Sequence, residues 1–266
     1  MNVLMLAELR SRARSLMALA GGCFLLLTVL CATYGAYGGS AGFDRTFGEH
    51  PPRLLSALSG SPTADIFSPD NYLAFGFAHP LFLVLTLSVA ITSGVGAVAV
   101  DVENGRAELL FTAPIARTAV LRARLSGWAL AQGAVLCVAL AGAFLGSRLS
   151  GDLAHVSPLV PLRVAVQVVP LVLFVAAVAF AASARARTRG TALGVAVGVA
   201  AGSYIVNMEG LLWSPMVVLR RLNPFGYYDA TAAAARVDWS DAAVLTAASA
   251  AVLWCARRWL LTRDLA

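Results

Sequence analysis

The chain reads DVENGRAELLFTAPIARTAVLRARL from Asp101 to Leu125, and this stretch separates two long apolar runs. Seven of its residues are charged, in a sequence that is only 13% charged overall. Each flank is long enough to supply the roughly 20 apolar residues that a helix needs to cross the hydrocarbon core of a bilayer. The stretch is therefore a polar loop between two membrane spans.

The rest of the chain agrees. Apolar residues make up 59% of it and its mean hydropathy is +0.77, far above the range of a soluble domain. Six windows qualify as spans, over residues 15–37, 72–100, 125–147, 159–182, 190–208 and 242–261. The second is long enough to be tilted or to begin with an interfacial piece. A closed β-barrel is the other architecture that satisfies every backbone group in lipid, and continuous apolar runs without strict alternation exclude it. The expected fold is an all-α integral membrane protein with one transmembrane domain over 1–266. The first run is too long for the apolar region of a cleavable signal and no small-residue cleavage site follows it, so it is expected to stay.

Orientation follows from charge. The sequence has 20 Arg and no Lys. With both termini inside, 13 arginines and five acids (Glu8, Asp101, Glu103, Glu108, Asp264) lie on the cytoplasmic side, a net +8 against −2 for everything else. That asymmetry obeys the positive-inside rule. It also accounts for the basic pI without a nucleic-acid partner.

Absent residues narrow the chemistry further. Without Lys there is no GxxxxGK[ST] phosphate loop and no Schiff-base catalyst, so nucleotide energy must come from another polypeptide. Cys23, Cys31, Cys137 and Cys255 fall in the spans with no CxxC pair, which suits small packing residues. His50, His79 and His155 are scattered, so no metal site is expected. The main polar groups within the spans are Gln132, Gln167, Ser203, Tyr204 and Asn207, too few for an intramembrane enzyme.

Several segments have mechanical rather than chemical character. Residues 1–15 show apolar positions at helical spacing opposite Glu8, Arg10, Arg12 and Arg14, which fits either a short amphipathic helix on the inner surface or a plain basic flank. In the Asp101–Leu125 loop, Gly105 lets the chain leave the second span, 107–111 can form a short helix, and Pro114 stops it before a new helix begins near Ile115. That unit is either a rigid lever between two spans or an ordinary solvated loop. Arg185, Arg187 and Arg189 mark a short inner loop. Gly190, Gly194, Gly198 and Gly202 recur every fourth residue along the fifth span, a spacing that lets helices approach closely within one subunit or between two. Residues 209–238 are too polar for a span yet hold LLW, MVVL and NPFGYY, the pattern of a re-entrant or interfacial hairpin.

The run Glu103, Gly105, Glu108, Leu109, Leu110, Pro114, Ile115, Arg117, Val120, Leu121, Arg124 resembles the signature of type-2 ATP-binding-cassette (ABC) transporter permeases. Six spans with both ends inside, the Asn223–Pro224–Phe225 segment before the last span and the closing Arg263–Asp264–Leu265 extend the likeness over essentially the whole chain. Arg106 and Ala116 depart from it, standing where Thr or Ser and a capping Ser are common. The resemblance implies a bacterial, multi-pass cytoplasmic-membrane exporter subunit with no catalytic site or cofactor of its own. ATP and Mg would sit on two copies of a partner ATPase. It makes Glu103 to Arg117, with Arg106, a coupling helix docked on that ATPase, with Arg185 and Arg187 a second contact. It implies pairing with a second permease, the fifth-span glycines lying at the interface or path, to which the polar Tyr204, Asn207 and Gln167 within the spans are also assigned; Glu209, Asn223, Pro224 and Phe225 fall where the family has an outer gate, the alternative being a passive aromatic belt. The cargo it suggests is hydrophobic or amphiphilic. An alternative within the family is a membrane subunit that transmits motion to an outer partner during its maturation.

Overall fold

The computed structural model describes residues 2–47, 57–58, 65–105 and 117–262. Among them there are helices and turns and no strand. Helix α1 covers Asn2–Ala36, α2 Gly39–Phe47, α3 Pro69–Ala78, α4 Pro80–Val95, α5 Ala99–Glu103 and α6 Arg117–Ser150. They are followed by α7 (Leu159–Arg185), α8 (Arg189–Leu212), α9 (Val217–Arg221), α10 (Ala230–Ala235) and α11 (Trp239–Thr262). Five helices are long and apolar enough to cross a membrane, and the count is six when the bent pair α3–α4 is taken as one span. The protein is an all-α integral membrane protein.

Helix α7 is the hub, buried along most of its length through Val164, Val168, Leu171, Val175 and Phe180, and it packs against α4, α8, α10 and α11. A helix apolar all round belongs in the middle of a bundle. On one flank α1 lies along α6. Gly142 and Gly146 permit this approach: an added Cβ would sit 2.5 Å from the carbonyl oxygens of Phe24 and Thr28 respectively. Thr28 Oγ1 donates to Gly142 O at 3.1 Å across the seam, the small-residue packing that replaces hydrophobic drive in lipid. At the outer end, Phe43 of α2 stacks on Phe67 at 4.7 Å, and Tyr34 Oη donates to Phe67 O at 2.7 Å.

Three expectations change. Residues 1–15 are not a separate amphipathic helix: α1 runs unbroken to Ala36, because Leu, Ala, Met and Arg are good helix formers and no Pro or Gly intervenes before Gly21. The third span begins at Arg117, two turns before Leu125. The second span is three helices, with breaks at His79 and at Gly96–Val98. The coupling helix expected over 107–111 lies outside the described residues, as do Arg106, Glu108, Leu109, Leu110 and Pro114.

Candidate functional site

The Gly96–Val98 break leads directly into the Asp101–Leu125 loop, and this root is held by side chains from three other helices and a backbone N–H from a fourth. In an unbroken helix Ala99 N–H would donate to Val95 C=O. Here the hydroxyl of Ser183, from α7, is inserted between them. Ser183 Oγ accepts from Val98 N at 3.0 Å and from Ala99 N at 2.9 Å, and donates to Val95 O at 2.9 Å. That uses its one proton and both lone pairs, which removes the cost of breaking a helix inside a membrane protein. From α1, Arg12 Nη1 donates to Thr92 O at 3.1 Å, passing over Gly96, where any side chain would collide with the guanidinium.

Beyond the break, Asp101 pairs with Arg124 of α6 at 3.0 Å, both largely shielded from solvent. Glu103 Oε2 accepts from the backbone N–H of Arg189 at 2.5 Å. A carboxylate there also faces the positive end of the α8 dipole. Gly105 then turns the chain with φ +68°, a conformation in which a β-carbon is strained. The root of the loop is thus tied to α1, α6, α7 and α8. Among the described residues, no three His, Cys, Asp or Glu side chains cluster as a metal would need.

The outer break bends the second span by 43°. Pro80 has no N–H, and Leu81 N–H turns to His79 Nδ1 at 3.2 Å, which releases the carbonyl of Phe77. Tyr228 Oη donates to that oxygen at 3.1 Å. Burial pushes the Tyr228 phenol far above its ordinary range, so it remains a neutral donor. Helix α4 is therefore a rod with a healed break at each end.

Beside α4 stands α8, with three functions on three faces. Ala192, Ala196 and Ala200 are buried toward the bundle, and Ser203, Asn207 and Gly210 continue that face outward. The chain after Leu212 folds back on this outward part. Arg220 Nε donates to Asn207 Oδ1 at 3.3 Å, Asn223 Nδ2 donates to Ser203 O at 2.5 Å, and an added Cβ at Gly210 would lie 3.2 Å from Met216 O. Asn223 Oδ1 also accepts from Phe225 N at 2.9 Å, capping the turn Pro224–Tyr227. Hence 213–228 forms a compact outer cap rather than a span.

A second face of α8 meets α4 across an apolar cleft of about 330 Å³, lined by Leu83, Leu87 and Ile91 on one wall and Val197, Ala201 and Tyr204 on the other. Phe225 closes its outer end, edge-on to the Tyr204 ring at 5.6 Å. The Tyr204 hydroxyl is buried there with no hydrogen-bond partner among the described residues. The third face carries Gly190, Gly194, Gly198 and Gly202, all exposed, and a Cβ added to any of them meets nothing within 4 Å among the described residues. At roughly 100° per residue, this row borders the cleft face.

The family model for ABC-2 family transporter protein matches residues 2–219, a stretch that includes the Asp101–Leu125 loop, its root and both walls of the cleft. The chain belongs to the ABC-2 family. It is a membrane subunit of an ABC transporter, and this family's members are generally non-catalytic and work with a separate ABC ATPase. No curated protein and no solved structure gives a match.

In this ABC-2 permease, Tyr204 and Phe225 meet at the outer end of the cleft, while Asn207 holds Arg220 and Asn223 holds Ser203 O, with Pro224 in the turn that Asn223 caps. Gln167 stands apart. Its side chain bonds Asp238 N at 3.1 Å and Asp238 O at 3.4 Å, tying α7 to the start of α11. Glu209 is exposed, its backbone carbonyl accepting from Trp213 N at 2.7 Å. Arg185 lies over the Trp259 ring at 5.0 Å, whereas Arg187 is exposed in the linker between α7 and α8. Sequence reading missed Ser183 and Tyr228, single hydroxyls with no local pattern. The alanines at 192, 196 and 200 could have been found by the spacing that revealed the glycines.

Proposed function

We propose that this chain, with a second copy or a related permease, forms the path of an ATP-driven exporter in a bacterial cytoplasmic membrane. Two separate ATPase subunits, holding ATP and Mg, power it. The observation that carries this reading is the cleft between α4 and α8: it is apolar, it lies between the glycine row and a rod broken at both ends, and the outer cap closes one end. No charged side chain lines it, which suits a hydrophobic or amphiphilic cargo such as a drug, antibiotic or lipid.

In this reading the ATPases push on Glu103 to Arg117, with Arg187 as a second contact. The push reaches α4 through the root held by Ser183, Arg12, Asp101 and Glu103. The glycine row takes the second permease, which places the two clefts beside the shared seam, and Asn223, Pro224 and Phe225 form the outer gate.

The test is reconstitution with the cognate ATPase in vesicles, reading ATP hydrolysis and amphiphile flux together. Glu108→Ala and Arg117→Ala are expected to insert normally and lose flux. If both variants transport at the wild-type rate, the coupling assignment fails. Robust hydrolysis by the wild type in response to an outer protein, with no flux of any amphiphile, would favour a mechanotransmitting subunit instead.

A further inference from the structure

A groove at the cytoplasmic end of the bundle, between α7, α8 and α11, lies away from the cleft. It has two adjoining chambers. The one toward the membrane interior, about 410 Å³, is lined chiefly by Val178, Ala182, Val195 and Val252. The one at the cytoplasmic mouth, about 380 Å³, is bounded by Ala184, Arg185, Trp259 and Thr262. Arg185 and Trp259 belong to both, and the guanidinium lying over the indole at 5.0 Å marks the boundary between them.

Charge around the mouth is of one sign. Arg185, Arg187 and Arg189 lie in or beside the α7–α8 linker, and Arg257 and Arg258 close the last turns of α11, with Arg258 over Trp254 at 4.7 Å. Among the described residues no carboxylate pairs with any of these five guanidinium groups; Glu103 meets only the backbone of Arg189. An apolar chamber opening on an arginine and an amphipathic indole at the depth of the headgroups matches one kind of molecule.

We infer that this groove binds an anionic phospholipid of the inner leaflet, an acyl chain in the Val178–Val252 chamber and the phosphate on Arg185 at the mouth. The stacked indole holds the guanidinium at the boundary, where its N–H groups face the headgroup. This site does not depend on the direction of transport or on the cargo.

Native mass spectrometry of the detergent-purified full chain tests it, with dioleoylphosphatidylglycerol, dioleoylphosphatidylcholine or inorganic phosphate added. The wild type is expected to retain the glycerol lipid over the choline lipid by about fivefold for the one arginine engaged. Arg185→Gln should abolish that preference and Arg185→Lys should keep it. Val195→Trp, on the exposed lip of the groove, should weaken retention of both lipids while elution volume is unchanged. The inference is overturned if the wild type retains the two lipids equally, or if Arg185→Gln keeps the preference. It is also overturned if inorganic phosphate displaces the lipid, which would make the site an anion site. If Val195→Trp changes only the oligomer mass, the groove is occupied by a second copy and the inference again fails.

Discussion

Ser183→Ala removes one oxygen and leaves three backbone groups without a partner. Val98 N–H, Ala99 N–H and Val95 C=O are all in residues at most 3% exposed, and Ser183 itself is fully buried. Hydrogen bonds between helices in membrane proteins average about 0.6 kcal/mol each, so three set a floor near 2 kcal/mol. Backbone donors stranded without water cost about 1–3 kcal/mol apiece, and an alanine methyl leaves little room for a replacement water. The expected loss is about 2–6 kcal/mol, read by reversible unfolding in mixed detergent and denaturing micelles followed through tryptophan fluorescence. Hydrogen exchange in the peptide holding Val98 and Ala99 should accelerate in parallel. Ser249→Ala is the matched control: Ser249 is equally buried, but its hydroxyl donates only to Leu245 O of its own helix at 2.7 Å, a redundant bond. It should stay within about 0.5 kcal/mol of wild type. If Ser183→Ala is as mild as this control and exchange at Val98 and Ala99 is unchanged, the inserted hydroxyl does not hold the break.

The remaining predictions concern other parts of the molecule. Gly198→Leu should leave the thermal stability of the single chain largely unchanged, since Gly198 is exposed and an added Cβ meets nothing among the described residues, and should disperse the permease pair in crosslinking. Tyr228→Phe should cost about 1 kcal/mol in the same unfolding assay, with faster exchange in α3, because Phe77 O loses its donor. The hydroxyl of Ser240, then the N–H of Asp241, hold the Asp238 carboxyl below its ordinary value of 3.8. Its capping of α11 should therefore be intact above that value and fade as pH falls through the lowered one. A carboxyl-carbon NMR titration that places Asp238 at or above 3.8 would contradict this.

The six spans were legible because bilayer thickness imposes a length on apolar runs that composition cannot hide. The outer break has a local cause, the missing N–H of Pro80, which a reading by apolar length alone passed over. The inner break had no such signal: Gly94 and Gly96 were visible, but what holds the open ladder is a serine 84 residues away from Ala99. The glycine row was plain in sequence, whereas its outward direction was not, since the alanines at 192, 196 and 200 have the same spacing on the opposite side. Asn223 and Phe225 were found as a short motif, and the structure adds what they grip, Ser203 and Tyr204. Gln167 was grouped with the path because it is polar within a span. Its actual role, bridging to the backbone of Asp238, depends on a contact 71 residues distant.

The two breaks in the second span also bear on how the protein is made. Its pieces of 10, 16 and five residues are each shorter than a bilayer requires, so the span must enter the membrane as a composite. The hydroxyls that complete its backbone, Ser183 and Tyr228, are synthesised 84 residues after Ala99 and 151 residues after Phe77. A nascent chain that has passed Leu125 holds a second span with open carbonyls and amides. The backbone of that span is fully paired only when the fourth helix of the membrane and the outer cap arrive, so its packing, unlike its orientation, waits for later synthesis.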